Sequence, residues 1–404
     1  MTRCDRGLSW LNLLLAGMGS AYGAYIPVYL TAHAWTQTRI GAVLTVATVV
    51  SMICQVPAAL IVDAYPQHRG RILVGSVLAM GAAPALLAAL PHPLPVTLAM
   101  AVQAAAGSLM GPAIAALSLA LAGQTGLGER LGLNGRYGSI GAGIGAAVLG
   151  AFSTWFPDRT VFVAAALLTL PALFALRAIR AEGTATAAIH EEEEGNIPAA
   201  LALLKDRRLA VFALALVLFQ TSSIAILQLA AVQITARLGS RAGVVIAACL
   251  IVPQAMVAMV SPWIGRAAQR YGRRPLMLAA FAMLPVRGAL FATIRNPYAL
   301  VPVQALEGAS GSVYGMMLSL VSADLTRGKG HYTLCMSLLG LAGGAGTAIS
   351  TALAGWVSDG FGRSVAYWVL AGAGLLAWLT IALAMPETRD IGVTTEADRA
   401  RLVP

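Results

Sequence analysis

Apolar residues run along this chain in blocks of about 20, separated by short charged or Pro/Gly-rich stretches. The blocks are apolar on every face and show no two-residue alternation. From Phe162 to Leu176, for example, only Thr169 and Pro171 interrupt the run. That excludes a porin-type barrel, whose strands alternate lipid-facing and lumen-facing residues. A helix needs about 20 apolar residues to cross the hydrocarbon core. The pattern therefore predicts twelve membrane helices, near 8–30, 40–63, 71–90, 95–120, 133–156, 160–178, 209–236, 242–264, 275–294, 297–323, 331–357 and 364–385. The first block follows a basic Met1–Arg6 start and has no small-residue cleavage pattern, so it reads as a span and not as a cleaved leader. The longest polar stretch, 181–207 with Glu191 to Glu194, falls between spans 6 and 7 and reads as a solvated linker.

Composition agrees with the pattern. Of 404 residues, 58% are hydrophobic and 11% charged, against about 25% charged in soluble domains. Mean hydropathy is +0.77. No polar stretch approaches the roughly 50 residues that a soluble domain requires. The net charge of +10 sits in loops, which fits orientation in a membrane and gives no nucleic-acid face. With the N-terminus and even-numbered loops inside, 20 Lys and Arg fall on the inner side and 6 on the outer. That bias predicts cytoplasmic termini and an even number of spans. Arginine over lysine, with abundant alanine, suggests a high-GC bacterial gene and hence an inner-membrane protein. Cys4, Cys54, Cys249 and Cys335 are far apart and imply neither disulfides nor a metal site. The five histidines lie in or beside loops, so a membrane enzyme is disfavoured, and no phosphate-binding glycine loop followed by Lys-Ser/Thr appears. The expectation is no cofactor, no metal and no nucleic-acid partner.

The two halves repeat. Arg69-Gly70-Arg71 recurs as Gly272-Arg273-Arg274 at an offset of 202, and Gly107-Ser108 to Gly111 recurs as Gly311-Ser312 to Gly315 at 204. Gly138, Gly141, Gly143 and Gly145 of span 5 have counterparts in Gly340, Gly343, Gly344 and Gly346 of span 11. Three matches in one order argue for a duplicated six-helix unit. The predicted domains are an N-terminal six-helix bundle over 1–180, a cytoplasmic linker over 181–207, and a C-terminal six-helix bundle with a short tail over 208–404. The glycines let backbones approach closely and suit either sliding of the halves or plain close packing.

Gly265-Arg-Ala-Ala-Gln-Arg270-Tyr-Gly272-Arg273-Arg274 resembles the signature loop between the second and third helices of a half in the major facilitator superfamily. Gln269 stands at its usual acidic position. In the first half Asp63 closes span 2, and either Asp63 is the signature aspartate before a lengthened loop or the alignment runs through Gln67. Pro386-Glu387-Thr388-Arg389 is similar to the end of many members. The resemblance implies an all-α membrane protein of twelve helices in two pseudo-symmetric six-helix bundles, with a solute site between them. It also implies a cytoplasmic latch drawn from Asp63, Arg69, Arg71, Arg270, Arg273 and Arg274; as orientation charges at the headgroups, these residues have a second reading. Span 5 resembles the glycine-rich fifth helix of drug–proton antiporters but lacks its proline. Gln103, four residues before Gly107, stands where those proteins often carry an arginine.

Among seventeen acidic residues only Glu307 falls well inside a predicted span. A carboxylate there costs about 2.5–3.5 kcal/mol on insertion scales, so it is read as a proton-coupling candidate. Its alternative is a fixed pair with Arg287, because both lie roughly 14–16 Å from the hairpin at Asn296, at 1.5 Å per residue. Candidate cavity residues are Tyr22, Tyr25, Gln55, Gln103, Arg136, Gln220, Gln228, Gln254 and Tyr314, with Asn12 and Gln233 beside them. Amides and phenols suit an organic solute better than a bare metal ion. The expected function is secondary active transport of a small organic solute by a monomer in membrane lipid, with protons as partner and export of a drug or metabolite as the leading direction. Proton-coupled uptake is the alternative, and a non-transporting sensor a lesser one.

Overall fold

A computed structural model describes residues 3–33, 35–65, 68–90, 92–155, 158–186, 205–239, 242–327 and 331–389. The acidic run Glu191 to Glu194 and most of the expected linker lie outside the described residues, as do the side chains of Tyr22 and Tyr25. Among the described residues the chain is helical throughout: α1 Arg3–Ala32, α2 Gln37–Ala64, α3 Arg69–Ala89, α4 Pro93–Trp155, α5 Asp158–Leu167, α6 Thr169–Thr186, α7 Arg207–Leu238, α8 Ala242–Tyr271, α9 Arg273–Thr293, α10 Leu300–Leu325, α11 Tyr332–Phe361 and α12 Arg363–Ala384. A short 3-10 turn, Pro297–Ala299, precedes α10. Every backbone N–H and C=O in a hydrocarbon environment needs an internal partner, and an unbroken helix supplies it within the segment.

Two boundaries differ from the sequence reading. The loop expected between spans 4 and 5 is helical, and a single glycine, Gly123 at φ 63° and ψ 178°, separates two arms of α4. Glycines at 123, 126 and 128 read as a loop, yet Leu127 and Leu131, one turn apart, are both buried, so an apolar face holds the helix despite weak propensity. The apolar stretch Pro93–Val148 has 56 residues, about 84 Å at 1.5 Å per residue. That is more than twice a 30 Å hydrocarbon core and so makes two crossings. Span 6 is likewise two helices, α5 and α6, parted at Leu168. Pro171 has no N–H to return to the preceding turn, which explains the break. Length and apolarity mark eight crossing stretches among the described residues, the long one included.

The helices group into two compact units, 1–123 with 133–194, and 124–132 with 195–404. In the first, Tyr29 of α1 stands edge-on to Phe162 of α5 at 4.7 Å and donates to the Leu87 carbonyl at 3.1 Å. Residues of α1, α2, α3, α4 and α5 share that buried cluster. In the second, Phe291, Tyr367, Ile226 and Cys249 anchor a cluster drawn from α7 to α12. Many large apolar side chains face outward in both units, Leu94 and Leu383 being 80% and 82% exposed, as a lipid-facing surface requires.

The repeated glycines do the same job in each unit. In the first, α4 lies on α1: a Cβ at Gly141 or Gly145 would strike the backbone at Leu13 or Gly17, and Ser20 donates to the Ala142 carbonyl at 2.9 Å. In the second, α11 lies on α7, and a Cβ at Gly346 would strike the Val217 carbonyl and stand 3.0 Å from Gln220 Cβ. Backbones this close require glycine at the crossing.

Candidate functional site

The second unit holds a charged cluster in the middle of its helices. Arg287 of α9 and Glu307 of α10 form an ion pair through Nη1 and Oε2. Arg287 is 2% exposed, and the Glu307 side chain keeps 27% of its surface. Arginine has five N–H donors and no acceptor, and their partners here are identifiable. Nε and Nη2 both donate to Gln304 Oε1, at 3.2 and 3.0 Å. Nη1 donates to Ser223 Oγ and to the Ser223 carbonyl, each at 3.4 Å. Ser223 Oγ in turn donates to Glu307 Oε2 at 3.1 Å. The guanidinium carbon lies 5.8 Å from the Phe291 ring centroid, within cation–π range.

Local sequence explains each position. Gln304 and Glu307 are three apart and share a face of α10. Arg287 reaches both from the hairpin partner, as the equal depths from Asn296 predict. Ser223 belongs to Thr221-Ser222-Ser223, a buried hydroxyl run in the apolar α7. Sequence reasoning missed Gln304 and Ser223. The signals were there: an amide one turn before the carboxylate that falls well inside the expected tenth span, and three consecutive hydroxyls in an apolar helix.

A second cluster lies at the α8–α9 turn, the signature-like loop. Gly272 stands there at φ 94° and ψ 177°, backbone that favours glycine. Arg273, 1% exposed, donates from Nε to Asp324 Oδ2 at 3.0 Å and from Nη2 to Oδ1 at 3.4 Å. Its Nη1 donates to the Ala268 carbonyl at 2.6 Å and to Gln269 Oε1 at 3.4 Å. Thr388 Oγ1 donates to Asp324 Oδ2 at 3.1 Å. Glu387 caps the start of α9: its carboxylate accepts from the backbone N–H of Arg273 at 2.8 Å and of Arg274, Thr388 and Arg389 at 3.0 Å each. Partial burial pushes the Glu387 carboxyl up, but these backbone donors outweigh it and hold the group below its ordinary value. Arg389 donates to the Gln269 and Arg270 carbonyls at 3.3 and 2.9 Å. Asp324, which the sequence showed only as the end of a span, is therefore the buried counter-charge of Arg273, and Gln269 fills the acidic position as an acceptor.

Of the remaining candidates, Tyr314 and Gln220 both approach Gly343 of α11. Tyr314 stacks on Phe219 at 4.7 Å, and Gln220 donates to Thr347 Oγ1 at 3.5 Å. Gln233 accepts from the Tyr367 hydroxyl at 3.3 Å, and Asn12 bonds back to the Leu8 carbonyl at 2.8 Å. Gln55 and Gln254 are half-buried, and Gln228 and Arg136 are exposed. Gln103 Oε1 is buried with no hydrogen-bond partner. Of the first-half latch candidates, Arg69 donates to the Val62 carbonyl at 3.4 Å and feels the Asp63 charge. Arg71 and Arg270 are exposed, and the Arg270 guanidinium sits 5.3 Å from the Tyr271 ring centroid.

Comparison with known proteins adds the family context. The family model described as Major Facilitator Superfamily matches residues 8–260 and 224–402. Uncharacterized MFS-type transporters of two Mycobacterium tuberculosis strains are 31% identical over 403 residues, covering 97% of this chain and 95% of theirs. Among solved structures, the E. coli fucose:proton symporter FucP aligns at a TM-score of 0.70 with 14% identity, covering 94% of this chain and 97% of that one. The proton:xylose symporter XylE aligns at 0.71, also with 14% identity, covering 97% and 98%.

Proposed function

Because the chain belongs to the major facilitator superfamily, a family of multi-pass membrane transporters and not of enzymes, we propose that it is a proton-coupled secondary transporter of a small organic solute. The observation that carries this reading is the Arg287–Glu307 pair: the cation is sealed, and its carboxylate partner keeps open surface. A proton can reach Glu307 and neutralise it, which leaves Arg287 with the Gln304 and Ser223 acceptors alone. Two arrangements of the pair thus differ by one charge, which is what an alternating-access cycle needs in order to be biased by protonation. In this reading bundles 1–180 and 208–404 rock about a midplane site, joined by the cytoplasmic linker 181–207, in a monomer whose termini face the cytoplasm of a bacterial inner membrane. Asp63, Arg69, Arg71, Arg270, Arg273 and Arg274 serve the closed cytoplasmic side, the last two with Asp324 and Glu387 as their partners.

The neutral amides and phenols Gln220, Gln254 and Tyr314 on the helices of the second unit support an organic solute. Export of a drug or metabolite is the direction we assign first. Uptake is the second reading, supported by the symporter names of the FucP and XylE neighbours. A solute screen in proteoliposomes under inward and outward pH gradients tests both. The gradient that drives accumulation fixes the direction, and Glu307→Gln is expected to abolish gradient-driven accumulation while sparing counterflow. Full accumulation by Glu307→Gln would end the coupling reading.

A further inference from the structure

One contact in the second unit is unusual for a helix bundle. Ser350 of α11 is fully buried. Its hydroxyl donates to the Thr221 carbonyl at 2.7 Å and accepts from the Ala225 N–H at 3.1 Å. Thr221 and Ala225 are four apart on α7, so these two backbone groups are the ones that bond each other in an uninterrupted α-helix. A foreign hydroxyl therefore sits astride one rung of the α7 ladder. Side chains inserted in this way are among the identifiable causes of helix bending.

The close approach that permits it has its own explanation. Gly346, one turn before Ser350, brings the α11 backbone against α7 at Val217 and Gln220, and Thr221 Oγ1 lies 3.3 Å from the Gly346 carbonyl. A short serine side chain can then reach main-chain atoms of its neighbour. The rung it occupies brackets Ser223, the residue that offers both its carbonyl and its hydroxyl to the Arg287–Glu307 pair. A mid-helix carbonyl normally points along the helix axis at the N–H four residues on. With both ends of that rung tied to α11, the α7 turn around Ser223 is fixed where its carbonyl and hydroxyl meet Arg287 and Glu307.

We propose that Ser350 is a positioning residue for the ion-pair site: by bonding both the Thr221 carbonyl and the Ala225 N–H it fixes the α7 turn from which Ser223 holds Arg287 and Glu307. The inference rests on the reading of Glu307 as the proton-coupling carboxylate for its effect on transport, but its effect on α7 does not. Of the other titratable side chains on these helices, Cys249 of α8 feels the Arg287 charge, Tyr367 of α12 packs on Phe291 at 5.8 Å, and Tyr314 lies two turns along α10 from Glu307, while Tyr271, Asp324, Tyr332, Cys335 and Asp359 lie toward the ends of their helices; Glu307 is the one among them that Ser223 is seen to bond.

Two measurements on Ser350→Ala test the proposal. Without the hydroxyl the α7 turn loses its tie to α11 and Ser223 its fixed place beside the carboxylate, so the pH profile of transport in proteoliposomes is expected to move away from that of the wild type. Ser350→Thr, which retains a hydroxyl, is expected to keep the wild-type profile. Slower turnover with an unmoved profile means that Ser350 only packs α11 on α7, and that result overturns the proposal. Hydrogen exchange in detergent, which needs no transport, is expected to show the Ala225 amide less protected in Ser350→Ala, because it loses an acceptor; unchanged exchange overturns it as well. Glu307→Gln run in parallel separates the two ideas. If that protein keeps a wild-type pH profile, the coupling reading fails, and the exchange experiment alone decides the role of Ser350. Should the alanine protein not assemble, Ser350→Cys, with its weaker hydrogen bonding, supplies the same two readings.

Discussion

Burying Arg287 removes a full charge from water, a cost recovered only when a counter-charge and acceptors surround it. Glu307, Gln304 and Ser223 provide these. Arg287→Ala empties a sealed site and leaves the Gln304 and Ser223 acceptors without their donor, so it is expected to lower thermal stability in detergent severely. Glu307→Gln leaves the arginine with amide and hydroxyl acceptors and is expected to be the milder change; the reverse order would mean that the carboxylate chiefly serves to neutralise the arginine. Glu387 makes a pH prediction of a different kind. Its carboxyl is held below the ordinary value of 4.5 by the backbone donors at the start of α9. The stabilisation is therefore fully present above that value and is lost as pH falls through the lower, folded value. Thermal melts between pH 7 and pH 3 should show an acid-side loss that Glu387→Gln lacks. At this scale the sequence disclosed charge better than polarity. Glu307 and Arg287 stood out because charges within apolar runs are costly, and their equal depths predicted the pair. Gln304, Ser223 and Asp324 were obscured because amides and hydroxyls are common in membrane helices, and an aspartate at a helix end looks like an ordinary loop charge.

Helix ends and crossings are where glycine decides the outcome. Gly123 and Gly272 occupy backbone conformations that a Cβ strains by about 1–3 kcal/mol, and at Gly272 the added Cβ would also stand 2.5 Å from Glu387 Oε2. Gly272→Ala is therefore expected to cost more stability than Gly123→Ala, which meets no neighbour within 4 Å, while Gly19→Ala, in helix with open space around it, is expected to be neutral or slightly stabilising. Thermal melts of the three variants check the order, and equal losses at Gly123 and Gly272 would remove Glu387 from its capping role. The elements themselves were legible wherever a long apolar run met a charged boundary. They were misread at 121–132 and at Leu168, for opposite reasons. In the first, tertiary burial of Leu127 and Leu131 keeps a glycine-rich stretch helical. In the second, one proline divides a run that hydropathy treats as continuous.

Across the whole chain the duplication preserves packing and discards charge. The offset of 204 that superposes Gly107-Ser108 on Gly311-Ser312 also places Gln103 at the position of Glu307. Offsets of 202–204 place Ala83-Pro84-Ala85 at the position of Arg287. The glycine crossings of α4 on α1 and of α11 on α7 survive in both halves, whereas the ion pair exists in one. Duplicated sequence could therefore reveal the architecture, because packing repeats, and could not reveal the chemistry, because chemistry is where the halves diverged. The same reasoning predicts what a transplanted carboxylate would do. In Gln103→Glu/Glu307→Gln the acid stands in the first unit with no arginine at the equivalent place, so no buried cation ties its charge to the state of the helices around it. A carboxyl without such a partner carries no information about which side of the cycle is open. Counterflow by this double variant is expected to match that of Glu307→Gln, and accumulation driven by a pH gradient is expected to stay absent. Adding Ala85→Arg supplies the missing cation on the helix equivalent to α9. Gradient-driven accumulation in the double variant alone would show that depth suffices for coupling and that the buried arginine does not matter.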